Sequence, residues 1–147
     1  MMKPLHALIP ARGGSKGVLK KNIKHLHGHP LIAYSIIACR LANNIDRVIV
    51  STDDKEIASV AFRYGAEVPF LRPAEYASDT ATDNDVIKHF FDEISCSEVA
   101  YIRPTTPLRD PYELDQYIET YFKEQKLKAT GVRSMHELPE SPYKMLK

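Results

Sequence analysis

Surplus charge of either sign is missing from this chain: 20 Lys and Arg stand against 19 Asp and Glu, a formal net charge of +1 over 147 residues. A general nucleic-acid binder needs an excess of cations against phosphates, so the balance gives no reason to expect that class. A local basic cluster can still hold a small polyanion. Long apolar runs are missing too. No stretch approaches the roughly 18 apolar residues of a membrane span, and no apolar leader with a cleavage signal precedes the first strand-like segment. Cysteine is scarce. Cys39 and Cys96 match no zinc or redox spacing, so the expectation is a reduced protein of the cytoplasm. With 44% hydrophobic and 27% charged residues, the composition is that of one soluble globular domain.

What is present is an alternation of short apolar runs with amphipathic stretches. Residues 5–9 form a strand candidate that breaks at Pro10 and opens into the loop Ala11-Arg12-Gly13-Gly14-Ser15-Lys16-Gly17. Pro30 opens a helix, where its missing N–H is not needed, and residues 31–42 are apolar on most sides. Residues 47–50 are a second strand of the kind covered on both faces. Asp53 with Glu56 reads as a capping box for the next helix, which buries Ile57, Ala58, Ala61 and Tyr64 and stops at Gly65. Residues 68–71 are a third strand, which Pro69 suits to an edge.

Residues 83–94 are helical, with Val86, Ile87, Phe90, Phe91 and Ile94 on one stripe and His89 turned away from it toward solvent. A fourth strand covers residues 99–102. Asp110-Pro111-Tyr112-Glu113 is a second capping box, for a helix whose buried face is Leu114, Tyr117, Ile118, Tyr121 and Phe122. Residues 129–132 are a last strand candidate. No repeat, low-complexity segment or dividing linker interrupts this order. Strand and helix alternating at these lengths predict an α/β fold, a mostly parallel sheet between two helical layers. Ligands of such sheets sit beyond the carboxyl ends of the strands, at a topological switch point. Four polar loops therefore surround one crevice.

The first of these loops holds three glycines and two cations between Arg12 and Gly17, and Lys20, Lys21 and Asn22 continue it. Glycine lets backbone N–H groups approach an anion, and Arg12, Ser15 and Lys16 can add charge-assisted bonds. Neither a Walker A spacing nor G-x-G-x-x-G can be drawn through it, so as a bare pattern it is weak, and a solvated surface turn is the alternative. Arg72 reads as a ligand contact or a surface residue before a Pro turn, and Asp79 as a loop anchor or cap. Arg109 can meet a carboxylate bidentately or pair with a neighbouring Asp. His25, His27 and His29 lack carboxylate or Cys neighbours at ligand spacing and read as a solvated loop or hairpin rather than a metal site.

Four segments in order carry a resemblance. They are 9–17 (Ile-Pro-Ala-Arg-Gly-Gly-Ser-Lys-Gly) with Lys21-Asn22, then Val50-Ser51-Thr52-Asp53-Asp54, then Arg72-Pro73-Ala74-Glu75 with Ser78-Asp79-Thr80-Ala81-Thr82, and last Pro104-Thr105-Thr106-Pro107-Leu108-Arg109. Gly28-His29-Pro30-Leu31-Ile32 and Ser141-Pro142-Tyr143-Lys144 agree as well. Together they resemble the acylneuraminate cytidylyltransferases, the CMP-sialic acid synthetases and their relatives acting on other nonulosonic acids. The resemblance implies a Rossmann-like nucleotide-diphospho-sugar transferase fold. It also implies transfer of CMP from CTP to a nonulosonic acid with release of pyrophosphate.

By that similarity, Arg12, Gly13, Gly14, Ser15, Lys16, Lys21 and Asn22 take the triphosphate, with Lys21 and Arg12 the catalytic cations. Arg72, Ala81 and Thr82 read the cytosine, and Arg103, Thr105, Thr106 and Arg109 meet the acceptor sugar. Many members carry Gln where this chain has Arg103, which bears on the acceptor, since an amide donates and accepts while a guanidinium only donates. The resemblance further implies Mg²⁺, whose carboxylate ligands in the family lie near the end of a longer chain, and a possible homodimer. It implies neither nucleic-acid nor membrane partners. The expectation is one nucleotide-binding domain over residues 1–147 without the family's C-terminal portion. Two readings follow: a cytidylyltransferase, or a non-catalytic module that binds CTP without turnover. The broader nucleotide-sugar pyrophosphorylases fit less well, because their first loop ends in Pro-Lys rather than Lys21-Asn22.

Overall fold

The computed structural model describes residues 5–135. In chain order these form β1 (Leu5–Pro10), a small hairpin of β2 (His25–Leu26) and β3 (His29–Pro30), α1 (Leu31–Leu41) and β4 (Ile45–Ser51). Then follow α2 (Lys55–Arg63), α3 (Asp83–Glu93), β5 (Val99–Tyr101) and α4 (Pro111–Gln125). β1 is central, paired in parallel with β4 on one side and β5 on the other. The third expected strand is reduced to two parallel bridges, Glu67 to Ile49 and Leu71 to Thr52, on the outer side of β4. Between them lies Pro69, which has no N–H to give a ladder. From β1 the chain thus proceeds first to one side and then to the other, and the switch point lies between β1 and β5.

The period-2 alternation of β1 feeds two cores. Ala7 and Ile9 pack with Val48 and Val50 against Ile32, Ile36 and Cys39 of α1, Ile57 and Val60 of α2, and Leu114 of α4. Leu8 and Ile49 point the other way, onto Val86 and Phe90 of α3 and Ile94 beyond it. The sheet is therefore covered on both faces, the Rossmann-like α/β/α arrangement that the alternation implies. Burial pushes the Cys39 thiol up to about 12, so it is a protonated core side chain. Asp115, buried in α4, accepts N–H bonds from Asn43 and Asn44 at 2.9 and 2.7 Å and fastens that helix to the turn before β4.

Several expectations are corrected. Asp54, not Asp53, caps α2, accepting from the N–H groups of Glu56 and Ile57. His89 is buried, its ring set against Phe70 and Tyr76, because the 70–76 segment folds over that side of α3. Tyr117 is 43% exposed, since the apolar stripe of α4 runs through Leu114 and Ile118 and leaves it outside. Residues 129–132 form no strand: they make no ladder, and Val132 is exposed. The Ser141-Pro142-Tyr143-Lys144 segment lies outside the described residues.

Phe90 is fully buried and centres the second core. Phe90→Ala is expected to cost about 3–5 kcal/mol, read as a lower urea midpoint. A loss below about 1 kcal/mol would show that α3 is not packed on the sheet.

Candidate functional site

A basin of about 410 Å³ opens where β1 and β5 end, at the switch point. The first loop gives it Arg12, Ser15, Lys16, Gly17, Lys21 and Asn22. From the segment after the edge bridges come Arg72, Tyr76, Ser78, Asp79, Ala81 and Thr82, and from the end of β5 come Tyr101, Arg103 and Thr105. Most of the site residues expected from sequence thus share one cavity. Gly13, Gly14 and Thr106 do not line it, although Gly13 anchors its loop. Arg109 lies elsewhere, in an apolar groove beside Tyr34, Ile37 and Tyr64, with its guanidinium 3.4 Å from Ser35 Oγ.

The first loop is held from below. Asn22 is 5% exposed, and its amide donates to the Arg12 carbonyl at 3.0 Å, folding the loop back on itself. The Gly13 N–H donates to Asp53 Oδ1 at 2.9 Å. A Cβ on Gly13 would come within 2.8 Å of Asp54 Oδ2 and 2.9 Å of Asp54 Cβ, so only glycine fits against the cap of α2. Gly14 has open space instead. Lys20, at φ 50°, forms an ion pair with Glu56 of α2. Lys21 then enters a 3-10 turn, Lys21–Ile23, and reaches the basin with no hydrogen bond or ion pair through its side chain among the described residues.

Two carboxylates compensate the cations of the basin. Asp79 bridges Arg12 at 3.0 Å and Lys16 at 2.5 Å, and the Lys16 bond above all holds its carboxyl below the usual range. Arg12 also donates to the Ser78 carbonyl at 2.9 Å. Asp83, in the first turn of α3, pairs with Arg103 and accepts from the Tyr101 hydroxyl at 2.7 Å. Burial, reinforced by that bond, raises the Tyr101 phenol well above its ordinary value.

Arg72 is 5% exposed and donates to Ser51 Oγ at 3.0 Å, the Ser51 carbonyl at 2.5 Å and the Tyr76 carbonyl at 3.2 Å. Three of its five N–H donors are engaged in this frame, and burial draws its pKa down. The N–H groups of Ala81 and Thr82 are taken by Ser78 Oγ and by Asp85, whose carboxylate reciprocates in the capping box of α3. Tyr76, Ser78, Asp83 and Tyr101 were not singled out from sequence. Tyr101 was within reach, since it ends a strand on the side where ligands gather.

A backbone-pinned glycine loop, clustered cations and a cavity at the switch point are the equipment for a nucleoside polyphosphate. Comparison with protein families matches residues 6–144 to the family described as Cytidylyltransferase. The chain belongs to the cytidylyltransferase family. Among its curated relatives are enzymes named for legionaminic, pseudaminic and acylneuraminic acids. It is 39% identical over 123 residues to the CMP-N,N'-diacetyllegionaminic acid synthase of Legionella pneumophila, covering 78% of this chain and 52% of the relative. To the pseudaminic acid cytidylyltransferase of Campylobacter jejuni strain 81-176 it is 38% identical over 128 residues, 80% of this chain and 53% of the other. To the N-acylneuraminate cytidylyltransferase of Escherichia coli strain RS218 it is 38% identical over 122 residues, 82% and 29%.

The fold matches that of a CMP:2-keto-3-deoxy-manno-octonic acid synthetase complexed with CTP, with a TM-score of 0.74 at 16% identity over 84% of this cytidylyltransferase chain and 49% of that one. A cytidylyltransferase from Leptospira borgpetersenii gives 0.65 at 19% identity, 84% and 51%. The chain spans about half the length of most of these relatives.

The Mg²⁺ implied by the resemblance finds no fitting donor set. Among the described residues no group of three or more His, Cys, Asp or Glu is placed to hold a metal ion. The two carboxylates that line the basin, Asp79 and Asp83, are both paired with cations. The histidines of the β2–β3 hairpin are exposed, and His29 bonds the Tyr64 hydroxyl at 3.1 Å.

The glycine contacts yield a paired expectation. Gly13→Ala should destabilise the protein by about 1–3 kcal/mol, because Cβ must displace the cap of α2. Gly14→Ala should stay within about 0.5 kcal/mol of the parent. Urea unfolding of the two variants checks this; equal losses would contradict the asymmetry.

Proposed function

We propose that this chain carries the nucleotide-binding part of a cytidylyltransferase that transfers CMP from CTP to a nonulosonic acid. In that reaction the anomeric hydroxyl oxygen of the acceptor bonds to the α-phosphorus and loses its proton, the bond to the β-phosphate oxygen breaks, and pyrophosphate leaves. Catalysis of this kind is mainly positioning and neutralisation of charge spread over phosphate oxygens. The observation that carries the reading is the gathering of Arg12, Lys16 and Lys21 around one cavity, above a loop whose backbone is fixed by Asp53 and Asn22.

In this proposal Gly13, Gly14 and Ser15 shape the loop around the triphosphate, and Lys21, which has no competing side-chain partner among the described residues, stabilises charge developing at the α-phosphate. Arg72 holds the pyrimidine end together with Ala81 and Thr82. Because both of those N–H groups are engaged and the Thr82 carbonyl accepts from the Val86 N–H at 3.3 Å, the Ala81 carbonyl oxygen is the group left to accept from a base. Cytosine offers an exocyclic amine there; uracil does not. Arg103 and Thr105 line the acceptor side of the basin, and Arg109 does not.

A second reading, a module that binds CTP without turnover, is supported by the pairing of both basin carboxylates, Asp79 and Asp83, with cations.

Pyrophosphate release with CTP, Mg²⁺ and a panel of nonulosonic acids, run beside calorimetric CTP binding, separates the two. Binding with release supports the transferase and binding alone the module. A folded protein that does neither overturns both. Lys21→Ala should weaken CTP binding at least about tenfold, the worth of one charge-assisted contact, while moving the melting temperature little. A large drop in melting temperature would make Lys21 a structural residue.

A further inference from the structure

Asp79 sits inside the basin, where its charge opposes the ligand that the basin suits. Its side chain is about half exposed, and among the described residues its only partners are Arg12 and Lys16. Lys16, in turn, has no other ion pair or side-chain hydrogen bond there. The surrounding loop does not depend on Asp79 for its shape. Ser78 Oγ donates to the Glu75 carbonyl and accepts from the Ala81 N–H, and Thr82 and Asp85 close the reciprocal cap of α3. The carboxylate therefore contributes little to the fold of its own segment. Its geometry is that of a bound anion: one oxygen lies 3.0 Å from a guanidinium nitrogen and the other 2.5 Å from an ammonium.

We propose that Asp79 is an internal competitor for polyphosphate: its carboxylate bridges Arg12 and Lys16 as two phosphate oxygens would, and an incoming polyphosphate displaces it. This rests on the reading of the basin as a phosphate site and assigns Asp79 the setting of its affinity. Held by Asp79, the two cations stay at bridging distance rather than repelling each other, so the site is shaped before ligand arrives. An isolated phosphate monoanion, with fewer charges to offer, competes poorly with Asp79, whereas a triphosphate does so readily. The carboxylate thus biases the basin toward highly charged tails.

The test uses inorganic tripolyphosphate as probe, titrated calorimetrically into the parent, Asp79→Asn and Asp79→Glu. Two exposed ion pairs are released on binding, so Asp79→Asn should bind tripolyphosphate about three- to tenfold more tightly. Asp79→Glu, which keeps the charge, should stay within about twofold of the parent. The Asn variant should also discriminate less between tripolyphosphate and orthophosphate. Thermal melting controls for folding, and Asp79→Ser carries the same expectation should the amide disturb the loop. Equal or weaker binding by the uncharged variants would overturn the proposal and make Asp79 a positioning residue. If the parent binds no tripolyphosphate, the phosphate reading itself fails and takes this inference with it; binding that Asp79 variants leave unchanged removes the inference alone.

Discussion

Arg12, Lys16, Lys21, Arg72 and Arg103 all line one cavity, in a chain whose formal net charge is only +1. Cations gathered this closely repel one another unless anions or a rigid frame hold them in place. Both devices are present, applied to different members. Arg12 and Lys16 share Asp79, and Arg103 is paired with Asp83. Arg72 has no ion pair among the described residues and is instead built into the end of β4 and the Tyr76 turn by three hydrogen bonds. Among the described residues Lys21 alone of the five has neither, and it emerges from a turn whose backbone is fixed by Asn22 and the Lys20–Glu56 pair. A graded set results. One cation is immobile, three are compensated by exchangeable carboxylates, and one is uncommitted.

The same frame joins stability to function. Gly13 can approach the cap of α2 because it lacks Cβ, and that approach brings its N–H to Asp53. Asp53 and Asp54 therefore divide two tasks between adjacent positions, one holding the loop and the other starting the helix. Reading from residue types alone assigned the cap to Asp53, since either Asp lies at a plausible distance from the apolar stripe of α2. Which one turns toward the helix is decided by the loop packed against the other. That is tertiary information.

The elements themselves were legible where periodicity was strong. The apolar runs of β1 and β4, the stripe of α3 and the Pro at the start of α4 lie where the pattern put them. The crevice was legible too, because strand and helix alternation constrains where polar loops meet. Failures cluster where a neighbour distant in sequence sets the environment. His89 faces away from the Phe90 stripe, yet the 70–76 segment brings Phe70 and Tyr76 over it. Tyr117 falls on an apolar period but lies beyond the width of the surface that α4 covers. Residues 129–132 have strand-like composition and nothing beside them to pair with among the described residues. Composition cannot report a missing partner.

The motif from Pro104 to Arg109 shows the limit most sharply, because its six residues are contiguous in sequence and divided in space. Pro104 and Thr105 face the basin, while Arg109 reaches Ser35 in the groove beside α1. The cause is topological. The chain leaves β5 at the edge of the basin but must begin α4 on the face of the sheet occupied by α1 and α2, where Leu114 enters their core. A short turn that crosses from one layer to another presents its first residues to one cavity and its last to another. Under the proposed function, acceptor recognition in the basin then falls to Arg103 and Thr105. Arg103 is already paired with Asp83, so a carboxylate arriving there exchanges one ion pair for another and gains little from charge alone. On that proposal, selection of the acceptor comes instead from shape and hydrogen bonding along the wall formed by Tyr101, Pro104 and Thr105.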